Sequence, residues 1–225
     1  MNLEFGRGSH VCHFYETAGE QRELSLRFLA EGLRQGEHCI YIATDPSVEE
    51  WLDVLHGLGI DAGTKLRQGT LETLSAREWY PQLEFNSLTM GRRFWRTING
   101  ALLDSGAVRL IADMRWTSQA ELPVDQLCHW EATANLVLDD TDSVTICQYD
   151  LRQHSPTTIH SALRTHPKVV LGRRTVSNPY YEAPEILDNE PNSQTLRTLM
   201  LLRSKVCWRN SARFRSSRFK AQHRP

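Results

Sequence analysis

The stretch HVCHFYETAGEQRELSLRFLAEGLRQGEHCIYIA, His10 to Ala43, decides the fold because its hydrophobic period changes twice. His10 to Tyr15 is a short, largely apolar run that suits a strand. Thr17, followed three residues later by Glu20, makes a capping box, in which each side chain answers a free amide of the first helical turn. Leu24, Phe28, Leu29 and Leu33 then trace one apolar helical face, and Gly36 supplies a C-terminal stop. Cys39 to Ala43 is continuously apolar, as expected for a strand covered on both faces.

Working outward, the alternation continues. Ser47 and Glu50 repeat the capping signal, and Trp51, Leu55 and Leu58 carry a helix toward Gly59. Leu66 to Leu74 is expected to hold a strand, and Leu88 to Leu103 a helix ended by Gly106. Val108 to Met114 reads as a strand with Asp113 near its C-terminal end. Leu127, Trp130, Ala134 and Val137 mark a further helix, and Val144 to Tyr149 the next strand. Repeated strand–helix alternation predicts an α/β domain: three layers, with a mostly parallel sheet and helices on both faces. Beyond Asp150 the pattern weakens, with a short helix expected over Ile159 to Arg164. The expected division is a domain over 1–182, a linker over 183–194 and a basic helical tail over 195–225.

Charge is divided unevenly. The formal net charge is −1, yet from Arg197 onward there are nine Lys or Arg and no Asp or Glu, leaving 17 basic and 27 acidic residues before it. Such a tail fits an exposed helix or linker, a nucleic-acid backbone or an acidic membrane surface. No helix-turn-helix pattern accompanies it, so the preferred expectation is a signalling partner or self-association through the C-terminal helix. No apolar run is long enough to span a bilayer, the N-terminus lacks a signal-peptide pattern, and the five cysteines show no CxxC spacing. A cytoplasmic protein without membrane partners is expected.

The segment from Phe28 to Ile42 resembles the first helix and second strand of KaiC-type RecA-like ATPases, and Leu58 to Asp61 with Gly69 to Leu71 continues the resemblance. A phosphate-binding loop of the form G-x-x-x-x-G-K-[ST] belongs between the first strand and helix, where glycine amides and a lysine cradle phosphates. Here that turn reads Tyr15-Glu16-Thr17-Ala18-Gly19-Glu20-Gln21, with one glycine, no lysine and two carboxylates. The topology is therefore expected to be RecA-like without its Walker A motif. This degenerate form resembles the MEDS domain, the methanogen/methylotroph sensory domain. The matching pieces are His10 to Glu16, Met114-Arg115-Trp116, Glu131 and Asn135, Cys147 to Asp150, His166-Pro167 and Asn178 to Tyr181, over about residues 8–182. The resemblance implies a non-catalytic sensor of small organic molecules that signals to a partner.

In a RecA-like sheet the first strand is expected to lie between those bearing Asp113 and Cys147, with ligands bound where the carboxyl ends converge. Candidate ligand-binding residues are His10, Cys12, Tyr15, Asp113, Trp116, Glu131, Asn135, Cys147 and Tyr149. His10 and Cys12 share one strand face, as do Cys147 and Tyr149. Two readings stand for His10, Cys12 and Cys147: soft ligands for a metal ion or a redox-sensitive cluster, or cysteines serving as small buried hydrophobes. Asp113 takes the place of a magnesium-binding carboxylate, but without a phosphate loop a hydrogen-bonding role suits it better. Glu131 and Asn135, four apart on a helix, either orient a small polar group in an apolar pocket or form a structural tie. Cys12 and His13 point to opposite strand faces, so they make no nucleophile–base pair. No catalytic residue is assigned. Two alternatives remain: a nucleotide-binding RecA-like enzyme with a divergent loop, and a nucleic-acid-associated regulator acting through the tail.

Overall fold

A strand buried on both faces must send alternate side chains into two different cores, and residues 38–43 do so. Ile40 and Ile42 enter one apolar cluster, while Cys39, Tyr41 and Ala43 enter the other. The computed structural model describes residues 5–44, 49–80, 85–172 and 174–187. Ser47, residues 188–194 of the expected linker and the basic tail lie outside the described residues, while Pro184–Leu187 of that linker form a short helix whose Leu187 packs with Cys128, Ala132 and Leu136.

In chain order the elements are β1 (Ser9–Tyr15), α1 (Ala18–Gln35), β2 (His38–Ala43), α2 (Glu49–Gly57), α3 (Ala62–Arg67), β3 (Leu71–Ser75), α4 (Ala76–Trp79) and α5 (Ser87–Ser105). They continue with β4 (Val108–Asp113), α6 (Arg115–Gln119), α7 (Val124–Leu138), β5 (Ser143–Asp150), α8 (Pro156–Thr165), β6 (Lys168–Leu171), β7 (Arg174–Ser177) and α9 (Pro184–Leu187). The seven-stranded sheet runs β3-β2-β4-β5-β1-β6-β7, with parallel neighbours throughout except the antiparallel pair β6–β7. This is the expected three-layer α/β architecture. On one face Leu24, Phe28, Leu29 and Leu33 of α1 cover Val11, Ile111, Ile146 and Val170. On the other, Phe94 and Ile98 of α5 and Leu127, Trp130 and Ala134 of α7 cover Cys12, Leu110, Ala112, Cys147 and Tyr149.

Local chemistry accounts for the boundaries. Thr17 and Glu20 form the capping box of α1, and Gly36 ends the helix at φ 79°, a left-handed conformation that glycine adopts without penalty. The strand expected over 66–74 is shorter than its apolar residues suggested. Asp61 caps α3 by accepting from the Thr64 amide at 2.9 Å, so Leu66 belongs to a helix and the strand begins only at Leu71. The hairpin β6–β7 gave no periodic signal, because each of its strands has only four residues.

The strand order also differs from expectation. The RecA-like resemblance puts β1 beside the Asp113 strand, whereas its neighbours are β5 and β6, and β5 separates it from β4. β5 is buried along almost its whole length, so it takes an interior position with a strand on either side. Asp113 is thereby moved two strand spacings from β1, roughly 10 Å. Among the described residues no helix is long and apolar enough to cross a membrane.

Gly32 marks the closest approach of α1 to the sheet. A methyl group there would meet Arg109 Cδ and Cys39 Sγ, each at 2.7 Å, and Arg109 is held by Glu37 and the Phe28 carbonyl. Gly32→Ala is expected to lose about 1–3 kcal/mol, since overpacking outweighs the gain in helix propensity. Gly100→Ala, at an exposed position of α5 with nothing within 4 Å, should be neutral or gain up to about 1 kcal/mol. Urea unfolding of both variants checks the contrast.

Candidate functional site

The carboxyl edge of the sheet begins where β1 gives way to α1. Glu20 Oε2 accepts the amides of Glu16 (2.9 Å) and Thr17 (3.3 Å), while Thr17 Oγ1 accepts the amide of Glu20 (3.2 Å). Those backbone hydrogen bonds hold the Glu20 carboxyl below the usual carboxylate range. A helix N-terminus attracts anions because its first amides are unpaired. Here the Glu20 carboxylate takes the amides of Glu16 and Thr17 just ahead of the helix, and the Thr17 hydroxyl takes the Glu20 amide within its first turn. Beside this turn, His13, Phe14, Tyr15, Glu16, Glu20, Glu23 and Leu24, with Leu151 and Gly172, line a cleft of about 290 Å³. Tyr15 contributes a buried hydroxyl without a hydrogen-bond partner, and burial pushes its phenol up.

Along the same edge, Asp113 is wholly buried and accepts from Arg115 Nε (2.9 Å) and Nη2 (2.7 Å), from the Arg115 amide (3.1 Å) and from the Thr44 amide (3.3 Å). One strand over, Asp150 holds Arg152 in the same way, at 3.0 Å to Nε and 2.9 Å to Nη2, and also accepts from Gln153. The hydrogen bond from Arg152 keeps the Asp150 carboxyl below its ordinary range against a smaller upward push from burial. Both carboxylates spend their lone pairs on guanidinium and amide donors. Neither is arranged to carry magnesium. The paired Asp-x-Arg sequences at Asp113 and Asp150 signalled this device, but only the first aspartate was singled out from the sequence.

Deeper in the sheet, the α7 face carries a second set of groups. His10 of β1 and Cys147 of β5 lie against Glu131 of α7 and His166, which follows α8; all four are buried. Each offers a ligand atom, and these atoms lie within 4.8 Å of one another. Glu131 Oε2 is 3.3 Å from His10 Nε2, 3.6 Å from His166 Nε2 and 3.7 Å from Cys147 Sγ, while its Oε1 accepts from the Tyr149 hydroxyl at 2.9 Å. Burial pushes the Glu131 carboxyl up, but His10, His166 and Tyr149 outweigh it and hold the group below the usual range. Burial, reinforced by Glu131, pushes the Cys147 thiol up. Burial and the neighbouring His10 bring His166 down to about 3.

The sequence candidates therefore divide. His10, Glu131, Asn135, Cys147 and Tyr149 meet in the cluster under α7, whereas Tyr15 and Asp113 stand at the carboxyl edge. Cys12 Sγ donates to the Lys168 carbonyl at 3.6 Å, outside the four-ligand group. Trp116 stacks on Tyr80 with centroids 4.2 Å apart, within a buried aromatic group that includes Trp79, Phe94 and Trp130. His166 was not among the candidates, although its place before Pro167 had marked it in the family resemblance. His13, on the α1 face, was set aside with Cys12, yet it lines the cleft.

The chain is a RecA-like α/β scaffold in which its own glutamate caps the first strand–helix turn and the edge aspartates are paired to arginines. The chain belongs to the MEDS family (MEthanogen/methylotroph, DcmR Sensory domain), whose model matches residues 9–167. It is 26% identical over 166 residues to the transcriptional repressor DcmR of Methylorubrum extorquens, covering 73% of this chain and 60% of that protein. The chain thus spans somewhat under two thirds of that relative. A KaiC-like protein of Pyrococcus horikoshii is similar in fold, with TM-score 0.52, 14% identity and coverage of 73% and 71% of the two chains. The flagellar accessory protein FlaH of Methanocaldococcus jannaschii is similar to the same extent, with TM-score 0.51, 12% identity and 75% of each chain.

His13 lends itself to a pH test. Gln148 Oε1 accepts from Ser25, and its amide nitrogen donates to the Gln21 carbonyl and to His13 Nδ1 at 3.3 Å. The imidazole is therefore held as a neutral acceptor, and burial brings it from 6.5 down to about 4. The unfolded chain takes up this proton near pH 6.5 and the folded chain only near 4. The stability is present in full above 6.5 and is lost as pH falls through that window, on the order of 3 kcal/mol at most. Urea titrations between pH 7 and 4 should show a shallower loss for His13→Gln than for the unaltered chain.

Proposed function

We propose that this domain is the sensing part of a regulator, and that a small organic molecule enters the cleft at the end of β1 and alters how the chain engages a partner. The observation that carries this reading is the closed first turn of α1. Glu20 and Thr17 between them take three amides of the strand–helix turn where a phosphate loop would sit, which supports a crevice that does not rely on phosphate contacts. Ligands of open α/β sheets bind at that edge. The cleft joins three carboxylates, Glu16, Glu20 and Glu23, to the apolar surfaces of Phe14, Leu24 and Leu151. Such a lining suits a compact molecule with hydrogen-bond donors on an apolar body and disfavours phosphates. Membership of a sensory family and similarity to a transcriptional repressor support a regulatory output. The partner is a signalling protein, a second copy of the chain or a DNA-associated complex. The basic segment after Arg197 would supply the contact.

Thermal unfolding in the presence of small alcohols, amines and amides tests the reading. A ligand at 100 times its Kd should stabilise the fold by about 2.7 kcal/mol, and Glu23→Ala or Leu151→Glu should weaken that response. Magnesium ATP should give no shift. Micromolar binding of magnesium ATP would overturn the proposal, as would a well-folded sample that no member of the panel stabilises.

A further inference from the structure

We propose that His10, Glu131, Cys147 and His166 form a buried binding site for a divalent first-row transition ion of the zinc type. Hydrogen bonding around the two imidazoles fixes how they point. His166 Nδ1 donates to the Ala162 carbonyl at 2.7 Å, which can only accept. Asn135 donates its amide nitrogen to the Thr165 carbonyl (2.6 Å) and the Glu131 carbonyl (3.3 Å), so its Oδ1 must accept, at 3.1 Å, from His10 Nδ1. Both rings therefore turn Nε2 inward. Ligating histidines are oriented in this way, the outer nitrogen donating to a carbonyl or amide oxygen while the inner one presents its lone pair.

What those inner nitrogens face is the core of the inference. His10 Nε2 and His166 Nε2 converge on the same carboxylate oxygen, and His166 Nε2 is buried without a hydrogen-bond partner. A proton on His10 Nε2 answers one contact and leaves the other open. Two imidazolium rings with centroids 4.0 Å apart would repel strongly. One cation answers every lone pair at once. Tetrahedral zinc, with bonds of about 2.0–2.3 Å, separates its ligand atoms by about 3.3–3.8 Å. Four of the six separations match: 3.3 and 3.6 Å from Glu131 Oε2 to the two imidazoles, 3.4 Å from Cys147 Sγ to His10 Nε2, and 3.7 Å from Cys147 Sγ to Glu131 Oε2. The other two lie within 4.8 Å.

The donor set also selects the ion. One thiolate, two imidazoles and one carboxylate suit zinc and its neighbours rather than magnesium or calcium. Thiolate and carboxylate together neutralise a divalent charge, so the filled site is electrically balanced in a buried place. Binding takes the thiol proton from Cys147 and releases it to solvent. With four protein ligands the site is closed, which fits a structural or regulatory tie among β1, β5, α7 and the segment after α8 rather than catalysis. Cys12 stays outside it, held by the Lys168 carbonyl. The inference does not depend on the cleft, which opens beside α1, on the other face of β1.

The full chain, purified without chelators or immobilised nickel, should carry close to one zinc-type ion by elemental analysis. Stripped and titrated with cobalt(II), it should develop the near-ultraviolet thiolate-to-cobalt band and the visible bands of a tetrahedral ion at a 1:1 ratio. Cys147→Ser should abolish the near-ultraviolet band and Cys39→Ser should retain it. Asn135→Ala, which frees the His10 ring, should weaken zinc binding about 10–100-fold. A folded, reduced, unaltered chain that takes up neither cobalt nor zinc at micromolar concentration would refute the site, whether or not the variants fold. A cobalt–thiolate band that survives Cys147→Ser would refute it equally.

Discussion

A parallel sheet covered on both faces leaves no water to hydrate a polar side chain, so each polar residue on its inner strands must find its match within the protein. β1 and β5 bring an unusual number of such residues side by side: His10, Cys12 and His13 on one strand, Cys147, Gln148 and Tyr149 on the other. Their pleat assigns them to opposite faces. Toward α1, Gln148 joins Ser25, Gln21 and His13. Toward α7, His10, Cys147 and Tyr149 gather around Glu131. The first group is built of neutral side chains. In the second, one carboxylate oxygen serves two imidazoles.

The same sheet separates its two chemical regions in depth. At the carboxyl edge the chain has turned its polar groups upon itself. Glu20 caps α1, and Asp113 and Asp150 each clasp the arginine two residues later. What they leave at the edge is a crevice of mixed polarity. Below the edge, the cluster under α7 links the central strands to the helical layer. A ligand at the edge and an ion beneath it would act on the two faces of β1.

Particular residues show how far the sequence could be read. The capping box at Thr17 and Glu20, the stop at Gly36 and the apolar run from Cys39 were legible because each depends on neighbours within a few positions. The missing phosphate loop was legible for the same reason. Leu66 misled, since its apolar character says nothing of the Asp61 cap that places it in a helix. The hairpin of β6 and β7 stayed hidden in strands too short to show a period. His10, Cys147, Glu131 and Asn135 were all named as candidates, but nothing in their spacing joined them to His166.

The sequence by itself determined the class of fold, the strand–helix rhythm and the absence of a phosphate-binding loop, since periodicity, caps and motif spacing are local properties of the chain. Only the tertiary structure decided that β5 lies between β1 and β4, that Asp113 and Asp150 are spent on arginines, and that two histidines meet one carboxylate. Those outcomes depend on which strands become neighbours and how α7 crosses them. That is settled by packing among residues more than 100 positions apart, such as His10 and Asn135, and no local pattern encodes it.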